Sequence, residues 1–415
     1  MLERSPRTVF SPDQTGGDAE RLLVSAASHM RLGLWRDALD LLSRDYPDLP
    51  AEQREPGVPS PKQHTLVAYY RAYCRQKVGE APDYAAAAKL SPRYVFPNGA
   101  LTLAVLEAAL AARPDDATAH YLLGNLRLQA GMAAEAISEW QTARRLDSRL
   151  PVLHASLGRV LLRLSHDTQG AFEVFQSGLA ADPQNAELYD GIATTSAILA
   201  RPPAERTSAL ERYPDPAHMP TPLVYDLALS YAEAGAFDKA TALFRNRFFP
   251  REEGGTNVRQ VWIRVRALEA ESKAARGQCS EATAILDHLK APVEGLTFTR
   301  DGLDVFIEQA PNQALFAFVE SNCGRSDAGA KRVAALSLRS DLASLVFSRG
   351  NAVRLQGAVP RPIGTSSWNA AMAGLIEIEL GHPEKAIPLL EASLLLPDRN
   401  LSHHFSRVAL ARIKR

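Results

Sequence analysis

The chain has 415 residues, of which 46% are apolar and 23% charged, proportions typical of a folded globular protein. Its 47 basic and 47 acidic residues balance, which argues against nucleic acid or an anionic membrane as a partner held by bulk electrostatics. The N-terminal segment has no apolar run typical of a signal peptide, and no run is long enough to span a membrane. We therefore expect a cytoplasmic protein, unless the chain is a fragment whose export signal lies elsewhere.

The three cysteines, Cys74, Cys279 and Cys323, lie far apart in the sequence and form no CxxC pair. This spacing predicts neither a disulfide framework nor a zinc site. The adjacent histidines His403 and His404 cannot both reach one metal from a helix, because neighbouring side chains diverge around the helix axis. We predict no metal and no cofactor.

Residues 1–18 are polar, contain proline and a Gly-Gly pair, and are predicted to lack fixed structure. From residue 19 to residue 415 the chain is rich in alanine and leucine, and one triplet recurs: a small residue, a glycine seven positions later and an alanine five positions after that. A small residue lets two helices cross closely, and a glycine after the first helix can adopt the left-handed C-cap conformation. The triplets are Ala26/Gly33/Ala38, Gly124/Gly131/Ala136, Ala228/Gly235/Ala240, Ala270/Gly277/Ala282 and Gly374/Gly381/Ala386.

The best-defined repeats cover residues 117–150 and 151–184 and read as two helices of about a dozen residues joined by a tight turn. Their pattern resembles the tetratricopeptide repeat (TPR) family. The matching positions are the small residue of the first helix, the alanine of the second, the aromatic after it and the closing small residue and proline: Gly124, Gly158, Ala136, Ala171, Trp140, Phe175, Phe244, Ala143, Gly178 and Pro183. The pattern departs from the family at His120, His154 and Ser148. The resemblance implies an all-α fold, a right-handed α-solenoid of stacked helix-turn-helix repeats.

A narrower resemblance is to the repeat region of bacterial proteins that begin with a mutarotase-like β-sandwich domain. The segments that carry it are RYVFPN (93–98), LERYPDP (210–216), RFFPREEGGTNVRQVW (247–262) and TRDGL (299–303). This resemblance implies an alternative function, the helical accessory part of a carbohydrate-processing enzyme whose β domain is on another chain or missing from this one.

The sequence contains none of the catalytic or nucleotide-binding motifs GxSxG, HExxH, GxGxxG and GxxxxGK[ST], so we predict that the protein is not an enzyme. His120 and His154 occupy equivalent positions one repeat apart, where their rings could lie near each other. No further ligand matches them in the next repeat, which has Tyr189. We interpret both histidines as packing residues and keep metal binding as the less favoured alternative.

In the TPR family the first helices of successive repeats line a concave surface. The stripe that corresponds to this surface here consists of Tyr121, Asn125, Gln129, Arg159, Arg163 and Asp190. Amide, phenol and guanidinium groups suit an extended peptide or an acidic tail, because arginine pairs with carboxylates through two hydrogen bonds. Tyr121 stands where the carboxylate clamp of the family has a lysine. The stripe predicts a scaffold that binds a protein partner; an ordinary solvated helix face is the competing interpretation.

Residues 247–257 interrupt the helical pattern as an irregular elbow between repeats. The structural interpretation packs Phe248 and Phe249 beneath the elbow and uses Thr256 or Asn257 as the N-cap of the next helix. The functional interpretation is an anion-binding nest formed by Arg251, Gly254, Gly255, Thr256 and Asn257. Two glutamates directly before the glycines would repel an anion, so we favour the structural interpretation.

Overall fold

A computed structural model describes residues 18–46, 57–199, 201–249, 257–291, 293–308, 310–325, 327–328, 370–371, 374, 377–378, 382–394 and 402–413. These residues form helices joined by turns and loops and include no β-strand, apart from one isolated bridge between Arg245 and Leu296. The chain divides into two compact units, Met1–Leu188 and Tyr189–Arg415.

The first unit is built from helix hairpins. In chain order its helices are α1 (Ala19–Arg31), α2 (Trp35–Leu42), α3 (Thr65–Lys77), α4 (Tyr84–Ala88), α5 (Gly99–Ala112), α6 (Ala117–Gln129), α7 (Ala133–Leu146), α8 (Leu153–Arg163) and α9 (Thr168–Gly178). Asp18, which we expected to lack fixed structure, caps α1 by accepting hydrogen bonds from the N–H groups of Glu20 and Arg21. The expectation for Asp18 is therefore wrong, because aspartate is strongly preferred at a helix N-cap. Residues 1–17 lie outside the described residues.

The boundary between the two units falls within α10 (Ala186–Ile198). The helices that follow are α11 (Pro203–Leu210), α12 (Thr221–Glu233), α13 (Phe237–Ala242), α14 (Val258–Ala275), α15 (Cys279–Asp287), α16 (Leu303–Ile307), α17 (Ala310–Asn322), α18 (Pro383–Leu394) and α19 (Ser402–Ile413). Among the described residues, no helix combines the length and the apolar character needed to cross a membrane.

The small residues of the repeat triplets lie where the two helices of a hairpin cross. A Cβ atom added to Gly124 would lie 2.5 Å from Nε1 of Trp140, and one added to Gly158 would lie 2.6 Å from Cε1 of Phe175. The alanines of the triplets are fully buried at the same crossings: Ala26, Ala38, Ala136, Ala228, Ala240, Ala270, Ala282 and Ala386. Each aromatic therefore fills the space that its small partner leaves.

The turn glycines adopt the conformation that the pattern requires. Gly131 has a φ of +80°, and the same left-handed backbone recurs at Gly33, Gly235 and Gly277. Side chains other than glycine resist this region, so these turns fix where each first helix ends. Together with the buried crossings, they confirm the prediction of an all-α, tetratricopeptide-like fold.

The prediction that the cysteines form no disulfide is wrong. Cys279 begins α15 and Cys323 follows α17; their Cα atoms lie 5.1 Å apart and their sulfurs are bonded. The two residues are 44 positions apart, but α14 packs against both α15 and α17 and brings them together. Repeat packing places residues from successive hairpins side by side, which cysteine spacing alone does not reveal. Cys74 is a buried free thiol.

Candidate peptide-binding groove and the aromatic elbow

An open groove of about 440 Å³ lies within the first unit. Its walls come from the loop after Pro92, from α6 and α8, and from the residues that lead into and begin α10. The polar lining residues are Arg93, Asn125, Ser156, Arg159, Gln184, Asn185 and Glu187, and the apolar and aromatic ones are Pro92, Tyr94, Val95, Phe96, Tyr121, Val152, Ala155 and Ala186.

Two exposed aromatic side chains form one wall of the groove. Tyr94 is 47% exposed and Phe96 is 69% exposed, although large aromatic side chains are normally buried in a core. Tyr94 has a φ of +59°, a left-handed conformation that is strained for a tyrosine. The loop is anchored by Arg93, whose Nη2 donates a hydrogen bond to Oδ2 of Asp182 at 2.6 Å. The backbone thus holds these rings toward solvent.

The amide of Asn125 is oriented by the core of its own hairpin. Nε1 of Trp140 donates to the backbone oxygen of Tyr121 at 3.0 Å and to Oδ1 of Asn125 at 3.2 Å. Because its oxygen accepts from Trp140, the NH₂ group of Asn125 points away from the indole, and no described residue accepts a hydrogen bond from it. The groove therefore presents a fixed amide donor to a ligand.

Charged groups lie at the edge of the groove. Arg159 pairs with Glu187, and both side chains are about half exposed, so water and salt screen the pair. Asn185 donates to Oδ2 of Asp182 at 3.2 Å and accepts from the N–H of Glu187 at 3.0 Å. An incoming ligand can exchange the Arg159–Glu187 pair for its own charges at small cost.

The structure brings together three of the six residues predicted for the binding stripe. Tyr121, Asn125 and Arg159 line the groove, whereas Gln129 and Arg163 are exposed and do not line it. The sixth, Asp190, is half-buried in the second unit.

Tyr121 lines the groove but is almost fully buried, with a relative exposure of 5%. Its hydroxyl lies 3.4 Å from Oγ of Ser156 in α8, so the ring packs between repeats. The stripe predicted from the sequence did not include Tyr94 and Phe96. Two aromatics within the irregular segment RYVFPN were the available signal, but their exposure depends on the left-handed backbone.

The two equivalent histidines have separate surroundings. Nδ1 of His120 lies 2.5 Å from Oε2 of Glu139, and Nε2 lies 3.1 Å from the backbone oxygen of Pro114. His154 is buried, and burial, with a smaller contribution from Arg144, lowers its pKa to about 4. In the part of the chain that the structure describes, no group of three or more His, Cys, Asp or Glu side chains is arranged to hold a metal.

At the elbow, Arg251, Gly254, Gly255 and Thr256 lie outside the described residues, so the anion nest stays a hypothesis. Asn257, one of the two residues predicted as a cap, caps α14, with its Oδ1 accepting a hydrogen bond from the N–H of Arg259 at 2.9 Å.

Beside this cap, the two phenylalanines of the elbow differ. The ring of Phe249 stacks on Tyr225 with centroids 5.9 Å apart. The prediction that Phe248 is packed is wrong: it is 83% exposed, because consecutive side chains of an extended segment point in opposite directions.

Three of the four segments of the narrower resemblance meet around this elbow. Arg247 donates hydrogen bonds to the backbone oxygens of Pro216, at 2.7 Å, and Met219, at 3.3 Å. Arg259 donates to the backbone oxygen of Asp301. These arginines satisfy carbonyl groups of long loops, which is a structural role.

Helix hairpins with buried small residues and left-handed turn glycines define the chain as a tetratricopeptide-like helical-repeat protein. Solved structures of TPR proteins are similar to it over part or most of its length. A tetratricopeptide repeat protein from Parabacteroides merdae ATCC 43184 is 13% identical with a TM-score of 0.41, over 74% of this chain and 98% of that one. YrrB, described as a TPR protein with an unusual peptide-binding site, is 21% identical with a TM-score of 0.29, over 44% and 87%.

A third similar structure is Naa15/Naa10 bound to HypK-THB, 13% identical with a TM-score of 0.33, over 95% of this chain and 66% of that one. No family model and no curated protein matches the sequence. Because these TM-scores are low, the fold assignment rests on the hairpins and buried contacts of the chain itself.

Proposed function

We propose that the protein is a non-enzymatic interaction scaffold that binds an extended segment of a protein partner in the groove of the first unit. The observation that carries this proposal is the exposed pair Tyr94 and Phe96 beside the oriented amide of Asn125. Exposed aromatics contribute apolar contact area at little entropic cost, and a fixed amide NH₂ group can donate hydrogen bonds to a peptide backbone. The groove therefore offers both kinds of contact that peptide recognition needs.

The chemistry of the lining predicts the kind of segment that binds. An apolar side chain would contact Tyr94, Phe96 and Val152, while the peptide backbone would hydrogen-bond to Asn125. A carboxylate of the segment would compete with Glu187 for Arg159, through the bidentate geometry that arginine favours. We expect extended segments with one large apolar residue and an acidic residue near it.

Selection from a display library of random peptides tests this proposal. Enriched peptides should bind the wild type, and Phe96→Ala or Asn125→Ala should weaken each by about tenfold, equivalent to roughly 1.4 kcal/mol. Arg163→Ala is the matched control, because Arg163 is exposed and lies outside the groove lining. Failure to enrich any peptide, or binding that Phe96→Ala and Asn125→Ala leave unchanged, would contradict the proposal.

The alternative function, a helical accessory part of a bacterial carbohydrate-processing enzyme, draws support from one observation. The segment RYVFPN, which carries the narrower resemblance, supplies four residues of the groove wall, Arg93, Tyr94, Val95 and Phe96. In that case the groove would contact a mutarotase-like β-sandwich domain. Sedimentation of the chain mixed with such a domain tests this: a complex that Phe96→Ala dissociates supports it, and separate sedimentation contradicts it.

A cytoplasmic location stays a prediction. The Cys279–Cys323 disulfide opposes it, because structural disulfides form and persist mainly in oxidising compartments.

A further inference from the structure

A second, smaller pocket lies at another place in the first unit, between the end of α2 and one face of α3. Its volume is about 200 Å³, and it shares no lining residue with the groove. The lining is mostly polar and consists of Ser43, Ala68, Arg71, Ala72, Arg75 and Asp83. Arg71 and Arg75 are four residues apart, so both guanidinium groups project from the same face of α3.

Neither guanidinium has a carboxylate of a described residue within 4.0 Å. Two other cations in this part of the chain are paired, Arg36 with Glu80, and Lys62 with Asp45 at 2.6 Å. The nearest acid, Asp83, caps α4 by accepting from the N–H of Ala86 at 3.0 Å. Burial, followed by the charge of Arg75, lowers the pKa of Arg71, and these effects outweigh the opposing charge of Asp83. The described lining of the pocket thus carries two guanidinium charges against the single carboxylate of Asp83.

A comparison of the α3–α4 hairpin with the α6–α7 hairpin farther along the chain shows how this charge arises. Gly79 and Gly131 are the corresponding turn glycines, with φ of +81° and +80°. Arg71 lies eight residues before Gly79, and Leu123 lies eight residues before Gly131. Arg71 therefore corresponds to Leu123, a buried core residue.

Arg75 lies four residues before Gly79 and corresponds to Arg127, four residues before Gly131. Arg127 pairs with Glu139 at 3.1 Å. Helix α4 has only five residues, whereas α7 has fourteen, so α4 ends before the position that Glu139 occupies in α7. This hairpin has therefore gained one cation and lost the carboxylate that neutralises the other. The helix dipole accounts for Arg75 in the last turn of α3 but not for Arg71 in its middle.

We propose that this pocket binds a phosphoryl group, as inorganic phosphate or as a phosphate monoester. Two guanidinium forks and the hydroxyl of Ser43 offer more donors than the two oxygens of a carboxylate can accept, whereas a tetrahedral phosphoryl group presents at least three acceptor oxygens. Arginine matches this geometry better than lysine does, because its donors are planar and fixed. The pocket has room for the phosphoryl group and the first atoms of an ester.

Calorimetric titration of the full chain, at constant ionic strength set with chloride, tests the proposal. Inorganic phosphate and O-phosphoserine are the probes, and acetate is the control anion. We expect saturable binding of at least one phosphoryl probe, with acetate at least tenfold weaker. Tighter binding of O-phosphoserine identifies an ester as the ligand, and tighter binding of inorganic phosphate identifies free phosphate; either result supports the site.

Substitutions then locate the binding. Arg71→Leu places in the pocket the residue that the equivalent hairpin carries, so it should fold and bind the probe at least tenfold more weakly. Arg75→Gln, which keeps most of the side-chain volume, provides an independent variant, and Arg163→Gln is the matched control on another surface. Absence of saturable binding, equal binding of acetate, or full binding by Arg71→Leu and Arg75→Gln would overturn the proposal.

Discussion

Two irregular segments between hairpins have similar compositions, but only the second contributes an aromatic ring to a core. The segment 93–98 in the first unit leaves Tyr94 and Phe96 exposed, whereas the segment 247–249 in the second unit packs Phe249 into a cluster of aromatic rings. The cluster is formed by Phe249 with residues of α12, α14 and nearby loops: Tyr225, Phe244, Trp262 and Phe298. An aromatic loop is therefore a binding wall or a piece of core depending on what the adjacent helices provide.

Hydrogen bonds add to this difference. Arg245 and Asn246, directly before the second segment, pair with the loop around Gly295: Arg245 forms a bridge with Leu296, and the N–H of Asn246 donates to the oxygen of Gly295 at 3.0 Å. Within the segment, the oxygen of Arg247 accepts from Oγ1 of Thr297. Several residues that line the groove with the first segment have small or polar side chains instead, among them Ala155, Ser156 and Asn125. The ring of Tyr94 lies close to the backbone of Gly57, yet Tyr94 is 47% and Phe96 69% exposed, so both rings remain available.

The largest expected effect comes from matched substitutions in the two regions. Phe244 is fully buried among three aromatic rings, so Phe244→Ala should lower the free energy of unfolding by about 3–5 kcal/mol. Phe96→Ala and Phe248→Ala remove exposed rings and should change it by less than about 0.5 kcal/mol. Denaturant unfolding followed by circular dichroism measures all three. A large loss from Phe96→Ala would show that the first segment is core and would break the comparison.

The second effect is a pH dependence of the unfolding free energy, caused by His154 of α8 in the first unit. His154 is buried beside the groove residue Ala155, and its pKa of about 4 lies below the ordinary value of 6.5. The unfolded chain therefore binds more protons between these values, and stability falls as the pH decreases from 6.5 to 4, by about 2–3 kcal/mol. Unfolding free energies measured across this range should lose most of that slope in His154→Gln. An unchanged slope would show that other groups cause the acid sensitivity.

The third effect concerns the support of the groove. Gly124→Ala places a methyl group against Trp140, so the indole must move and release the oxygen of Asn125. We expect a loss of about 1–3 kcal/mol in unfolding free energy, together with weaker peptide binding. Ser138→Ala, at an exposed position of α7, is the control and should change neither quantity. Normal peptide binding by folded Gly124→Ala would show that Asn125 needs no orientation by Trp140.

The sequence was sufficient to predict the hairpins, because their signals are local. Gly124 and Trp140 are within one repeat, and a turn glycine five residues before a second-helix alanine specifies a crossing without knowledge of the rest of the chain. The N-cap at Asn257 was predictable for the same reason. The groove was predicted only in part, since Tyr121, Asn125 and Arg159 follow the repeat register, but Tyr94 and Phe96 do not.

The remaining features depend on contacts between hairpins. The different exposures of Phe248 and Phe249 follow from the path of an extended segment, which their adjacent positions in the sequence do not define. The charge of the second pocket emerges only when Arg71 and Arg75 are compared with Leu123 and Arg127 of an equivalent hairpin. Pairwise packing of helices, rather than residue type, determines these outcomes.

The Cys279–Cys323 bond also determines how the chain would respond to mechanical force. A repeat array pulled from its two ends can unfold one hairpin at a time where contacts are mainly between neighbours. In this chain α19 also contacts α10, since Nδ1 of His403 lies 3.0 Å from the backbone oxygen of Ala197. The 44-residue separation closed by the disulfide cannot extend, which removes roughly 150 Å from the length that the pulled chain could reach. Single-molecule stretching should therefore give a contour length that increases by this amount when a reductant is added.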